Sequence, residues 1–185
     1  MEQQVYFPLQ FPSLDSTRIS LRMIHDADAD VIFRLYSDEG VMLQRGEPVY
    51  SEIIQAEKLV FYWRKLFAEM SGLRWGITFR ENNQLIGSIG FKQIFHQHRR
   101  ADLGYELDPA YWNKGIMTEA VQLVTDYGME KMKLHSIEAN ITPAHIASKR
   151  ILEKNGFKME AHYKENFFYK SWWDSAIYSK INKAG

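Results

Sequence analysis

The sequence predicts an α/β fold in which helices cover both faces of a mixed β-sheet. Two observations support this class. Strands outnumber helices along the chain, in the order β-α-α-β-β-β-α-β-α-β-β, and a strand–helix–strand unit lies in the middle. The length of 185 residues suits one domain with a sizeable core. We therefore expect residues 1–185 to form a single domain that begins with an extended arm over residues 1–14.

The first elements follow from the spacing of apolar residues. Alternating apolar and polar positions predict a strand over Thr17–Met23. Helical spacing predicts a helix that opens at His25 and a longer one that Ser51 caps and Gly72 ends. The segment between these two helices is expected to be a polar loop, since it contains Gly40, Gly46 and Pro48.

The second part of the chain is richer in strands. A hairpin is predicted from two β-rich segments separated by turn-forming asparagines, and the tail has the aromatic content of two further strands. The predicted strands are Leu73–Arg80, Gln84–Gln97, Ala101–Leu107, Ser136–Ile141 and two within Phe157–Ile181, and the predicted helices are Asn113–Lys131 and His145–Asn155.

Composition excludes several classes of protein. The 23 basic and 23 acidic residues balance, whereas nucleic-acid binders usually carry a basic excess. The chain has no cysteine, which excludes a disulfide scaffold, a thiol nucleophile and a thiolate zinc site. The longest apolar run, Leu59–Trp63, is too short to span a membrane, and no basic residue precedes Arg18 to suggest a secretory signal. A cytoplasmic protein is the expectation.

A candidate anion site lies in the segment Leu103–Ala120. A strand ends at Asp108, and a polar turn then opens a long amphipathic helix, whose first backbone N–H groups have no partner inside the helix. Such a helix start binds phosphate. Gly115 permits close approach of the backbone, Asn113 tolerates a left-handed conformation, and Lys114 adds positive charge. The alternative is an ordinary turn before a surface helix.

Three segments together resemble the GNAT superfamily of N-acetyltransferases. Residues Gly104–Ala120 resemble its acetyl-CoA motif, residues Ile137–Phe157 resemble its second signature, and residues Thr17–Ala27 resemble the opening of the RimJ/RimL branch. The resemblance covers about residues 15–182. Three positions depart from these patterns, namely Trp112, Met117 and His145.

This resemblance implies a mostly antiparallel, twisted sheet of about six to seven strands, splayed between the fourth and fifth. It also implies acetyl-CoA as co-substrate without a metal, and direct acetyl transfer to an amine in a ternary complex. Backbone N–H groups near Glu106 and Leu107 would polarise the thioester carbonyl, and Asn140 would bond the pantetheine amides. The remaining cofactor-binding residues implied are Asn113, Lys114, Gly115, Ile116, Met117, Thr118 and Lys149.

Two residues are candidates for the proton transfers. Glu106 is the candidate general base, directly or through water, because amine deprotonation needs a carboxylate. The alternative is a polar strand residue that balances a nearby Lys or Arg. Ser148 is the candidate general acid, since Leu152 stands where many superfamily members carry a tyrosine. The alternatives are a helix-start serine bonded to a backbone N–H, with water as the acid.

The expected acceptor is a protein N-terminal α-amine, as in RimJ/RimL-like enzymes. The alternatives are a small amine (a polyamine, an aminoglycoside or an amino acid), a non-catalytic acyl-CoA-binding module, and a structural or interaction protein. We expect no nucleic-acid or membrane partner, and a monomer or homodimer. The pair His96 and His98 lacks a third metal ligand in the sequence and is more typical of solvated histidines at a strand end.

Other side chains are weaker candidates for the acceptor site. Arg45, Glu47, Tyr163 and Asp174 are polar residues that can face the acceptor. An aromatic cluster in the tail is more typical of a core than of a site, although some rings can line the cleft. Its members are Phe167, Phe168, Tyr169, Trp172 and Trp173.

Overall fold

The computed structural model describes residues 4–183. The strands are β1 (Leu14–Asp15), β2 (Ile19–Met23), β3 (Leu73–Phe79), β4 (Leu85–Phe95), β5 (Arg100–Leu107), β6 (Ser136–Ile141), β7 (Lys158–Tyr169) and β8 (Ser171–Ile181). The helices are α1 (Ala29–Tyr36), α2 (Glu39–Arg45), α3 (Ile53–Ala68), α4 (Ile116–Glu130) and α5 (Ile146–Lys154).

The eight strands form one sheet in the order β1-β2-β3-β4-β5-β6-β8-β7. Every neighbouring pair is antiparallel except β5 and β6, which run parallel because α4 connects them. This confirms the predicted mixed, mostly antiparallel sheet. The strand beyond the expected six to seven is the two-residue β1, which pairs with β2 between Leu14 and Leu21.

The helices enclose two hydrophobic cores. Helix α4 packs in the main core, where Ala120, Val121 and Val124 are fully buried with sheet residues such as Trp75 and Phe91. Helices α1, α2 and α3 form a second cluster that includes Ile32, Met42, Val60 and Trp63. The predicted helical stripes are therefore the buried faces, as amphipathic helices require.

The predicted loop between the first two helices is wrong, because α2 forms there. Asp38 caps this helix by accepting a hydrogen bond from the Val41 N–H at 2.9 Å, and Gly46 ends it in a left-handed conformation with φ of 69°. Val41 and Met42 are buried in the second core. Burial of this short apolar face stabilises a seven-residue helix that is too short to be stable by itself.

The boundaries of α3 also differ from the prediction. Glu52, rather than Ser51, is the N-cap, and the helix ends at Ala68, before Gly72. Helical spacing predicts a buried stripe of Ala56, Leu59, Trp63, Leu66 and Met70, but Met70 lies beyond the helix in a left-handed conformation and is 51% exposed. The rest of that stripe is buried or partly buried as expected.

The N-terminal arm packs against the main core. Val5 is buried, the N–H of Tyr6 donates to the carbonyl of Met132 at 2.9 Å, and the indole N–H of Trp75 donates to the carbonyl of Pro12 at 2.7 Å. Residues 4–13 form neither helix nor strand. The predicted arm's first three residues lie outside the described residues.

The sheet opens between β5 and β6. The two strands pair only at Arg100–Ser136, Ala101–Ile137 and Asp102–Glu138, and beyond these positions each continues without the other. The fourth and fifth predicted strands are β5 and β6, because β1 was not predicted, so the predicted splay is confirmed. The unpaired halves of β5 and β6 leave a gap bordered by backbone groups. Within residues 4–183, no helix is long and apolar enough to cross a membrane.

Candidate active site

A cleft of 780 Å³ occupies the gap between β5 and β6. The unpaired end of β5, the turn into α4, the end of β6 and the start of α5 form its walls. The end of α2 and the side of β7 close one end of it. Of the residues predicted for the site, those lining this cleft are Glu106, Leu107, Asn113, Gly115, Ile116, Met117, Thr118, Asn140 and Ser148.

The turn into α4 has the geometry of an anion site. Asn113 and Gly115 both have positive φ, 59° and 76°, so the chain reverses sharply before the helix. The first helical bond joins the Glu119 N–H to the Gly115 carbonyl at 3.1 Å, which leaves the preceding amides without partners inside the helix. These free amides and the positive end of the helix dipole suit a diphosphate.

Two contacts stabilise this turn. Arg18 donates to the Lys114 carbonyl at 3.0 Å and forms an ion pair with Glu119. The indole N–H of Trp112 donates to the Leu107 carbonyl at 2.7 Å. Met117, which departs from the small residue of the family pattern, is only 5% exposed and packs in the main core.

Glu106 lies buried at the floor of the cleft between two guanidinium groups. Its carboxylate forms ion pairs with Arg74 of β3 and Arg45 of α2, and it accepts a hydrogen bond from the Ser88 hydroxyl at 3.2 Å. Burial by itself raises the pKa of this carboxyl, but Arg74 and Arg45 outweigh it and hold the pKa below its usual range. Glu106 is therefore ionised at neutral pH.

These contacts agree with the alternative role given to Glu106 above, that of a polar strand residue whose charge balances nearby basic residues. The two arginines differ in exposure, because the Arg74 side chain is 4% exposed and the Arg45 side chain is 24% exposed. Arg74 is also bonded to the Gly104 carbonyl at 2.7 Å. Arg45 lies at the cleft surface, where it also pairs with Glu47 at 2.9 Å. A catalytic role for Glu106 stays a prediction.

Ser148 lies in the first turn of α5 and is 2% exposed. Its hydroxyl is 2.6 Å from the Tyr105 hydroxyl of β5, and either group can donate. Burial raises the pKa of Tyr105, so this phenol stays protonated at neutral pH. The alternative role considered for Ser148 was to accept a hydrogen bond from a backbone N–H. Its hydroxyl instead contacts the Tyr105 side chain across the cleft.

Two predicted cofactor contacts lie outside the cleft lining. The ammonium of Lys114 lies 5.4 Å from the centre of the Tyr111 ring. The Lys149 side chain is 44% exposed, and its ammonium lies 3.9 Å from Glu153. Instead Arg150 and Lys154, on the same helix, line the cleft with Lys92 of β4. The sequence signal for the two α5 residues is their spacing of four, which places them on one helix face.

The acceptor candidates separate in the structure. Arg45 and Glu47 line the cleft, together with Asn166 and Phe167. Tyr163 and Asp174 do not line it, and Asp174 instead bonds His162 at 2.7 Å. The expected aromatic core is wrong: none of the five tail aromatics is fully buried, because they extend along the hairpin of β7 and β8, where β7 is an edge strand.

The two histidines predicted as solvated lie in a short 3-10 turn after β4. His96 bonds the Met70 carbonyl at 2.6 Å through its Nε2 atom. Among residues 4–183, no group of three or more His, Cys, Asp or Glu side chains is arranged to hold a metal ion.

Comparison with known proteins assigns the family. The model of the acetyltransferase (GNAT) domain family matches residues 18–158. The uncharacterised N-acetyltransferase YoaA of Bacillus subtilis (strain 168) is 35% identical over 172 residues, which are 92% of this chain and 97% of that protein. The chain therefore belongs to the GNAT family of N-acetyltransferases. It is an acyltransferase that uses acetyl-CoA.

More distant relatives differ in their named acceptors. The [ribosomal protein uS5]-alanine N-acetyltransferase of Escherichia coli (strain K12) is 24% identical, covering 91% of this chain and 89% of its own. The spermidine N(1)-acetyltransferase of the same strain is also 24% identical, covering 86% and 83%.

Solved structures agree with the fold. A GNAT-family acetyltransferase from Bacillus anthracis superposes with a TM-score of 0.82 at 27% identity, covering 93% of this chain and 99% of that one. The ribosomal L7/L12 α-N-protein acetyltransferase RimL, solved in complex with CoA, superposes with a TM-score of 0.84 at 18% identity, covering 94% and 100%.

Proposed function

We propose that this enzyme transfers the acetyl group of acetyl-CoA directly to a protein N-terminal α-amine. The observation that carries the proposal is the cleft between β5 and β6, which joins the anion site at the start of α4 to the Glu106 carboxylate. The diphosphate fits the free amides before Glu119, and Arg150 and Lys154 add positive charge along the same cleft. Asn140 lines the path between these two ends.

Glu106 is proposed to accept the proton of the acceptor ammonium, directly or through water. Its ionised carboxylate first attracts the ammonium, and Arg45 is the partner that can release it, being more exposed than Arg74. Ser148 is proposed to donate a proton to the departing sulfur. Tyr105 holds the Ser148 hydroxyl in place, and when Tyr105 donates to it, the serine proton is free for the sulfur.

The choice of a protein N-terminus draws support from the relative that acts on the ribosomal protein uS5. The relative named for spermidine makes a small amine the second candidate.

The test measures thiol release from acetyl-CoA with a panel of acceptors. The panel contains peptides with free N-termini, the same peptides with blocked N-termini, spermidine, an aminoglycoside and free amino acids. We expect turnover with the free peptides and a mass increase of one acetyl group at the α-amine. Turnover confined to spermidine or the aminoglycoside would contradict a protein N-terminus as the acceptor. CoA binding measured by calorimetry without any turnover would identify a non-catalytic acyl-CoA-binding module.

A further inference from the structure

Lys92 is the extra residue of a β-bulge beside the cleft. In the pairing of β4 with β5, Phe91 lies opposite Leu103 and Gln93 lies opposite Asp102, so Lys92 has no partner residue on β5. A bulge of this kind turns its side chain away from the regular alternation of the strand, and bulges occur often next to active sites. Here the bulge brings the Lys92 side chain into the lining of the cleft.

Gly104 of β5 makes room for this side chain. A Cβ atom at position 104 would lie 2.7 Å from Cε and 2.9 Å from Cδ of Lys92, closer than carbon atoms approach. The aliphatic stem of Lys92 therefore lies across the β5 backbone at Gly104, next to Tyr105 and Glu106. The ammonium is carried to the part of the cleft where β5 and β6 have separated.

The Lys92 ammonium interacts with the Glu106 carboxylate only beyond ion-pair distance. Among residues 4–183, no carboxylate lies within 4.0 Å of its Nζ atom, whereas Arg45 and Arg74 both pair with Glu106. Partial desolvation by the cleft walls lowers the pKa of Lys92, although the residue as a whole is exposed. Glu106 and Asp102 oppose this shift, and Arg74 and Arg45 add to it. Since Glu106 is already paired with these two arginines, an anion that enters the cleft beside Lys92 would gain a favourable interaction with its ammonium.

We propose that Lys92 binds a carboxylate of the acceptor, so that the preferred substrate is a primary amine with a carboxylate close to it. Such a group is either an acidic side chain near the start of a protein or the α-carboxylate of a free amino acid. The proposal rests on the acetyltransferase function above and specifies its acceptor. Lys92 is then a specificity residue, which orients the amine towards Glu106 by holding the neighbouring anion.

The test compares acceptors that differ only in charge. One arm uses two peptides with the same free N-terminus and either Glu or Gln at the second position. The other arm uses a free amino acid and its α-amide. We expect the wild-type enzyme to prefer the anionic member of at least one pair in kcat/KM, and the arm that shows the preference identifies the source of the carboxylate.

The variant Lys92→Met keeps the length of the side chain and removes its charge. We expect it to lower kcat/KM for the anionic acceptor by about 10–100-fold and for the neutral one by less than about threefold, since a charge-assisted hydrogen bond is lost. Lys92→Arg should restore most of the preference. Lys58→Met, at an exposed position of α3 that does not line the cleft, is the matched control. This variant should keep the wild-type preference for the anionic acceptor.

Measuring acceptor binding without turnover distinguishes failure of the Lys92 proposal from failure of the proposed acetyltransferase function. Calorimetry with the CoA-loaded full chain measures the affinity of the Glu and Gln peptides and of the amino acid and its amide without turnover. A preference that Lys92→Met abolishes supports the Lys92 site even if no acceptor is acetylated, in which case the proposed function fails alone. Equal affinity and equal kcat/KM for the charged and neutral members, or a wild-type preference for spermidine, would overturn the Lys92 site.

Discussion

Single side chains at the reaction end of the cleft are positioned by partners from other elements. Ser148 of α5 meets Tyr105 of β5, and Glu106 of β5 meets Arg74 of β3 and Arg45 of α2. Each of these groups is held by charge or hydrogen bonding in a mostly buried place, where such contacts are stronger than in water. Their roles can be separated because a proton donor and its positioning partner respond differently to substitution.

The substitution Ser148→Ala should lower kcat by about 10²–10⁴-fold, as expected for loss of a general acid. The KM for acetyl-CoA should change little. Tyr105→Phe should have a smaller effect on kcat, because it removes only the group that holds Ser148, and the double variant should be no slower than Ser148→Ala. Steady-state kinetics with an active acceptor measure all three variants.

Ser179→Ala is the control for this series. Ser179 is also a buried serine, but it lies on β8 and bonds Glu160 away from the cleft. It should leave kcat unchanged. A Ser148→Ala enzyme with wild-type kcat would show that water, rather than this serine, protonates the leaving sulfur.

At the scale of elements, the acceptor end of the cleft depends on contact between α2 and the hairpin of β7 and β8. Phe167 of β7 packs directly over Gly46, which ends α2 with φ of 69°. A Cβ atom at position 46 would lie 2.6 Å from the Phe167 ring. Only glycine satisfies both the left-handed backbone and this close approach.

Gly46→Ala should therefore destabilise the protein by about 1–3 kcal/mol, combining left-handed strain with displacement of the Phe167 ring. The KM of the acceptor should rise, while the affinity for CoA at the α4 end should not change. Urea unfolding and acceptor kinetics measure the two effects.

Gly40→Ala provides a comparison within the same helix. Gly40 lies inside α2 without a positive φ, and an added Cβ atom would lie 3.1 Å from the capping Asp38 Oδ1, which needs to shift by only a few tenths of an ångström. Alanine there should be neutral or stabilising, because it raises helix propensity. If both alanine variants behaved alike, the Gly46–Phe167 contact would have no special role.

At the scale of the whole molecule, the ion pair between Arg74 and Glu106 ties β3 to β5 across β4 within the sheet. Both side chains are at least 95% buried, and Arg74 also stacks 5.1 Å from the centre of the Trp63 ring in α3. Removing Arg74 leaves the buried Glu106 carboxylate with Arg45 as its ion-pair partner, so its charge is only partly compensated. The pair therefore links the stability of the sheet to the charge state of the cleft.

Arg74→Met should lower the free energy of unfolding at pH 7 by about 3–5 kcal/mol. The lowered pKa of Glu106 in the folded protein means that its contribution is present above the usual carboxyl pKa and is lost as pH falls through the folded value. The difference between wild type and variant should thus be largest near neutral pH and shrink below about pH 4.5. Urea unfolding at a series of pH values measures it.

Arg64→Met tests the same chemistry at the surface. Arg64 pairs with Asp26 at 2.8 Å, but their side chains are 49% and 79% exposed. Loss of this exposed ion pair should lower the free energy of unfolding by at most about 1 kcal/mol. If Arg74→Met lowered the free energy of unfolding by as little as Arg64→Met, or by an amount independent of pH, the buried Arg74–Glu106 pair would not have the stabilising role described here.

The sequence by itself determined the order of elements other than β1 and α2, the buried faces of α1, α3 and α4, and the turn into α4. These depend on periodicity and on residues such as Asn113 and Gly115, whose backbone preferences act locally. The splay between β5 and β6 followed from the family resemblance rather than from spacing, since no local pattern marks the point where two strands separate.

Tertiary structure alone decided α2, the partners of Glu106 and the place of Lys92. Helix α2 depends on burial of Val41 and Met42 against other helices, because seven residues are too few for a stable isolated helix. The Glu106 cluster joins residues up to 61 positions apart in the chain, and Lys92 enters the cleft only because the pairing of β4 with β5 shifts there. Such contacts depend on how separate elements pack, and the energy that selects them is absent from any short stretch of sequence.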